Sequence, residues 1–169
     1  NEPVEVPSVE GVISADQAGN GDHTAAAQAL QQVTVVTIPS VVTVTSSPAA
    51  PVYGQATAPS ATVTPVLGAA TGSVEFSIGG TPVGVAVVRD GVATGPAVNT
   101  LGVGTHIWTA TFLPDDESVL RAGQSGTGPV TVGQAGTTTK VRVSPDTIRA
   151  TVDAVAPGRG TPGGTVEFQ

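Results

Sequence analysis

Six Lys and Arg stand against thirteen Asp and Glu in this chain of 169 residues, and the net charge is −7. A polyanion binder clusters its cations, whereas these are scattered from Arg89 to Arg159, so nucleic acid is not an expected partner. Cysteine is absent, which removes both a disulfide framework and thiolate chemistry, and no run of ~18 apolar residues offers a membrane-spanning helix.

Charged residues make up only 11% of the chain, and 22 Gly and 14 Pro punctuate stretches rich in Val and Thr. Val and Thr in alternation favour strands, while Gly and Pro end them. Aromatics are 3%, so any core rests on aliphatic side chains with a few rings, enough for small sandwiches but not for one large globule. A metazoan extracellular sandwich would be expected to carry an inter-sheet disulfide. Low charge, abundant Thr and no Cys point instead to a bacterial surface or secreted protein.

Residues 1–12 carry Glu2, Glu5 and Glu10 with two prolines and read as a loose, disordered acidic leader, with no basic and apolar regions of a signal peptide. Residues 13–38 admit two readings. Ile13–Asp22 lies without gaps over Ile107–Asp116, 94 residues on, and Val33-Thr34-Val35 resembles Val130-Thr131-Val132, which makes the stretch the tail of a preceding unit. Thr24–Gln32, however, has strong helix propensity behind a candidate Asp22 cap. Ile38-Pro39-Ser40 is the expected junction, because Pro39 cannot continue a central strand.

The complete unit is expected over 41–134. Seven strands are read there: Val41–Thr45, a second ending Ala61–Pro65, Ser73–Ile78, Val83–Val88, Val92–Thr94, Thr105–Leu113 and Pro129–Gly133. Asp90-Gly91 is a hairpin signal. On the sixth strand, alternation places His106, Trp108, Ala110 and Phe112 on one face, and the rings make that face the expected core. Gly95 leaves a volume that Trp108 is expected to fill, and Pro59 removes a donor inside the second strand.

The pattern then restarts. Gly72-Ser73-Val74-Glu75-Phe76 returns 92 residues later as Gly164-Thr165-Val166-Glu167-Phe168, and Thr138–Pro145 parallels Val41–Pro48. A period near 90 is too long for a solenoid and suits a sandwich domain of ~100 residues. Residues 138–169 thus read as the first half of a further copy that lacks a Tyr-Gly-Gln segment, and the chain as a fragment of an array.

Four phrases of the complete unit resemble the bacterial Ig-like repeat domains: Pro51–Gln55, Ala61–Pro65, Gly72–Phe76 and Gly104–Phe112. The resemblance implies an all-β fold: immunoglobulin-like β-sandwiches in tandem, one complete, one a C-terminal half copy, with the tail of a preceding copy at 13–38. It also implies an exported or cell-surface multidomain protein in which such modules are non-catalytic stalks, spacers or adhesive units. Expected partners are neighbouring repeats of the same chain and a host or cell-wall surface ligand.

No residue constellation for catalysis or cofactor binding emerges. Gly158–Gly163 matches a G-x-G-x-x-G pattern, but a phosphate cradle needs a helix behind it, and Pro162 and a strand phrase follow. His23 and His106 lack ligands at metal spacing, Ser125 lacks the rest of a nucleophile elbow, and Lys140 has no strand asparagine for an amide crosslink. Asp115, Asp116 and Glu117 form the densest acidic cluster, a candidate calcium loop competing with an ordinary turn. The alternative function is a carbohydrate-binding module accessory to a secreted enzyme, which would need exposed coplanar rings. All five aromatics, Tyr53, Phe76, Trp108, Phe112 and Phe168, are instead expected to pack inward.

Overall fold

A computed structural model describes residues 8–117 and 119–169. Among these there are eleven strands and no helix. The first two strands, β1 (Ser8–Ala15) and β2 (Ala29–Val36), pair antiparallel as an isolated hairpin. Two expectations, the leader over 1–12 and the helix over 24–32, are thereby corrected in part. Ser8–Val12 is strand rather than loose leader, residues 1–7 lying outside the described part, and Ala29–Gln32 joins β2 instead of a helix. Eight cross-strand pairs with β1 outweigh a local propensity of a few tenths of a kcal/mol per residue.

The complete unit contains seven strands in two sheets. One sheet has the order β3-β4-β7, from β3 (Ser40–Ser47), β4 (Ala58–Pro65) and β7 (Val92–Thr94). The other has the order β6-β5-β8-β9, from β5 (Gly72–Ile78), β6 (Thr81–Val87), β8 (Gly104–Pro114) and β9 (Ser125–Val132). Each expected strand is present, most of them longer than the alternation indicated.

Between the sheets lie Val42, Ala61, Val63, Val74, Phe76, Val88, Ala93, Ala110, Phe112 and Leu120, all buried and in one cluster. Trp108, Val130 and Val132 are buried outside it. The ring-bearing face of β8 does point inward: Trp108, Ala110 and Phe112 are each 0% exposed, and His106 is half-buried. Trp108 does not occupy the room left by Gly95, however. A Cβ at Gly95 would stand 2.8 Å from the Phe76 ring and 2.9 Å from Pro59, so those two side chains fill it. Pro59 is tolerated because its carbonyl accepts the Gly95 N–H at 2.9 Å, just past the end of β7. A strand residue turns N–H and C=O to the same side, so the missing donor faces the irregular stretch between the β4–β7 ladder, which ends at Ser60↔Thr94, and the Thr57↔Val98 bridge.

The sandwich is closed along one side by β3 and β9, which run parallel and are flanked by parallel bridges at Ile38↔Leu120 and Val52↔Gly133, just outside the two strands. Between the bridges the backbones nearly touch. A Cβ at Gly126 would fall 2.0 Å from the Val42 carbonyl oxygen, and one at Gly128 would fall 2.4 Å from that of Val44. Only a residue without a side chain fits there.

The last two strands, β10 (Thr137–Ser144) and β11 (Thr147–Ala154), form a second isolated hairpin. Val141, Val143 and Ile148 are exposed on it. Gly164–Phe168 repeats the sequence of β5 but is not a strand, and Val166 and Phe168 are exposed. In the complete unit β5 has β6 on one side and β8 on the other; without those neighbours the same alternation has no ladder to join.

The two lone hairpins keep the registers of the complete unit. The β1–β2 pairing runs from Ser8↔Val36 to Ala15↔Ala29, and the β8–β9 pairing runs from Gly104↔Val132 to Thr111↔Ser125, a shift of 96 residues at every position, which corrects the shift of 94 expected from Ile13–Asp22. The β10–β11 pairing, Thr137↔Ala154 to Ser144↔Thr147, has the same eight rungs as β3–β4, Ser40↔Pro65 to Ser47↔Ala58. They differ in the turn. Residues 145–146 close β10–β11, whereas 48–57 connect β3 to β4 and hold the Tyr53-Gly54-Gln55 segment.

Candidate functional site

The chain enters the sandwich at the pole of Ser40 and leaves it at the pole of Val132. The acidic loop belongs to the entry pole. The Asp115 N–H donates to Thr71 at 3.2 Å, and the Asp116 carbonyl accepts from Val119 at 3.3 Å and Leu120 at 3.0 Å. Asp115, Asp116 and Glu117 are all exposed along this turn. No three His, Asp or Glu side chains converge on a point among the described residues. Asn20 and Asp22 belong to a separate turn, in which the Asn20 Oδ1 accepts the N–H of Asp22 at 3.0 Å and of His23 at 2.8 Å. That is the Asx-turn role of asparagine.

The two histidines are likewise local. His23 Nδ1 lies 3.3 Å from Asn20 Oδ1. His106 Nε2 lies 2.8 Å from the Gly102 carbonyl, an acceptor that selects the tautomer with its proton on Nε2 and ties the start of β8 to its own loop. Ser125 opens β9 opposite Thr111, five residues short of Val130, the partner of His106. At the rise of a strand that separation is roughly 16 Å, beyond any proton transfer. Lys140 faces Asp153 across the last hairpin at 3.6 Å, an exposed ion pair of little energetic weight.

Gly158–Gly163 is a loop with no helix after it. It is not idle. The Arg159 N–H donates to the Tyr53 carbonyl at 3.1 Å, the Tyr53 N–H donates to Gly133 at 2.9 Å, and the Gly133 N–H donates to Pro51 at 2.8 Å. Clefts open on both sides of this contact. One is lined by Tyr53, Val103, Thr137, Arg159 and Gly160 among others, and the second by Gly54, Asn99, Pro157 and Arg159 among others.

Tyr53 is 47% exposed and Phe168 is 52% exposed, which corrects the expectation that every ring packs inward. Tyr53 sits in the β3–β4 connection and turns toward the following segment rather than into the sandwich. Sequence reasoning missed this role. The available signal was that the second copy drops the Tyr-Gly-Gln segment while carrying extra glycines at 158, 160 and 163.

The unit is a seven-strand sandwich whose first and last strands run parallel. The family described as bacterial Ig-like domain (group 3) matches residues 44–133, more than half of the chain's 169. The chain belongs to the bacterial Ig-like domain family. No curated protein and no solved structure matches it. The matched part lies inside the sandwich from β3 to the end of β9, so the Ig-like domain includes Phe76, Trp108 and Phe112 and the acidic loop. The lone hairpins fall outside the match.

Proposed function

We propose that this chain is a stretch of a tandem Ig-like array in a bacterial cell-surface or secreted multidomain protein, where it acts as a non-catalytic stalk or spacer, or as an adhesion unit. The observation that carries the reading is the agreement of registers. The hairpin before the Ig-like domain pairs as β8 and β9 do, and the hairpin after it pairs as β3 and β4 do. A last-two-strand hairpin before the domain and a first-two-strand hairpin behind it is the order that head-to-tail units require. Family membership supports the non-catalytic role, and the separation of Ser125 from His106 agrees with it.

The carbohydrate module is the weaker reading. It needs coplanar rings on a sheet face, and Phe76, Trp108 and Phe112 are each 0% exposed. The two exposed rings, Tyr53 and Phe168, lie outside the strands of the sandwich. Protease shaving of intact cells that express the native gene tests the location. Peptides from 41–134 are expected in the shaved fraction before lysis, and their recovery only after lysis would overturn a surface or secreted role. A glycan array probed with the chain tests the alternative, with no specific signal expected.

A further inference from the structure

The connection between the Ig-like domain and the hairpin that follows it is only four residues long, Gly133–Gly136, with a glycine at each end. A glycine-containing linker of that kind is flexible when nothing holds it. Here both ends are held. Gly133 exchanges two backbone hydrogen bonds with the Pro51–Tyr53 turn, at 2.8 and 2.9 Å, and the Gly136 carbonyl accepts the Val155 N–H at 2.8 Å. A fourth bond, Arg159 N–H to the Tyr53 carbonyl at 3.1 Å, spans from one unit to the next.

The surfaces at this contact are fitted by missing side chains. A Cβ at Gly54, whose φ is +78°, would stand 2.7–2.9 Å from Arg159 atoms. One at Gly158 would stand 2.5 Å from the Ala135 Cβ, and one at Gly160 would stand 3.2 Å from the Tyr53 ring. Three glycines from two separate parts of the chain thus lie at the contact, Gly54 against Arg159, Gly158 against the linker at Ala135 and Gly160 against the Tyr53 ring. Chance packing of a floppy hairpin against a domain would not need a glycine at each point of approach.

We propose that Tyr53-Gly54 and Gly158–Gly160 form a glycine-fitted joint that fixes the β10–β11 hairpin, and with it the next unit, at one orientation to the Ig-like domain. The proposal deepens the array reading, on which its reference to a next unit rests. The joint itself is a property of residues 41–160 and stands or falls separately from cellular location. The β10–β11 hairpin has no equivalent of the Tyr53 turn, because residues 145–146 replace 48–57. The device therefore belongs to this junction and is not a feature of every one.

The chain has no cysteine, so Glu75→Cys and Ser144→Cys introduce the sole attachment points for a pair of spin labels. Glu75 is exposed on the domain and Ser144 is exposed at the hairpin tip. Double electron–electron resonance on the full chain should give one narrow distance peak. Gly158→Val should replace that peak with a broad distribution while leaving the unfolding midpoint of the domain unchanged, since Gly158 lies outside the sandwich. Gly163→Val, where a Cβ meets nothing within 4 Å, should keep the narrow peak. A broad distribution in the labelled chain without these valine changes would overturn the proposal. So would an unaltered peak in Gly158→Val, or equal broadening by Gly163→Val.

Discussion

Replacing Gly128 by alanine should destabilise the Ig-like domain, although glycine to alanine in a strand ordinarily does the opposite. The ordinary gain comes from the unfolded chain and is ~0.4–1 kcal/mol where the native backbone suits alanine. The backbone at 128 is not left-handed, so alanine brings no strain of its own. The contact decides the sign. A Cβ would sit 2.4 Å from the Val44 carbonyl oxygen, against a usual C···O approach of ~3.3 Å. β3 must therefore retreat by roughly 1 Å, and it is held by an eight-rung ladder to β4 and by the burial of Val42. Overpacking of this kind costs ~1–3 kcal/mol, so a net loss of ~1–2 kcal/mol is expected after the entropic gain. Gly126→Ala should behave alike, its Cβ falling 2.0 Å from the Val42 oxygen. The two should be less than additive, because a strand displaced for one alanine already admits the second. Urea unfolding reads the result as a lower midpoint at constant slope. Gly102→Ala is the control, with nothing within 4 Å of its Cβ and no loss expected. A Gly128→Ala domain as stable as the parent would refute the close approach of β3 and β9.

Trp108→Ala should cost ~3–5 kcal/mol as a fully buried ring is lost, and the native fluorescence should be blue-shifted and poorly quenched. Trp108→Phe should cost less, because the buried indole Nε1 has no hydrogen-bond partner and its removal relieves an unpaired donor worth ~1–3 kcal/mol. A chain ending at Gln134 should keep the unfolding midpoint of 41–134 almost unchanged, since no core residue comes from beyond it; a large drop would make the two parts one cooperative unit. Calcium at millimolar level should leave that midpoint in place, and a rise of several degrees abolished by Asp116→Ala would turn the acidic turn into a metal site.

Within the Ig-like domain the fold was legible because inner and outer positions alternate cleanly and turns carry Gly, Pro or Asp-Gly. Phe76, Trp108 and Phe112 can be assigned inward from strand parity and the size of their rings together. What parity cannot reveal is which neighbour a strand will have. Ala29–Gln32 looks helical by propensity and becomes a strand because β1 lies beside it, while Gly164–Phe168 copies β5 and stays irregular without its partners. Size alone matches the largest ring, Trp108, to the room at Gly95, but proximity across the sandwich gives that room to Phe76 and Pro59. Tyr53 was misjudged for a related reason. Its place in the motif says nothing of the segment that follows the domain, and that segment sets its surroundings.

The parallel course of β3 and β9 bears on what happens when the two ends of the domain are pulled apart. Tension applied at Pro39 and Gly133 draws β3 toward the entry pole and β9 toward the exit pole, so the strands slide past each other lengthwise. Their bridges at Ile38↔Leu120 and Val52↔Gly133, and the glycine seam between them, are then strained together. Antiparallel edge strands pulled from one pole would instead peel open rung by rung. A domain strung this way keeps its length until the whole seam yields at once.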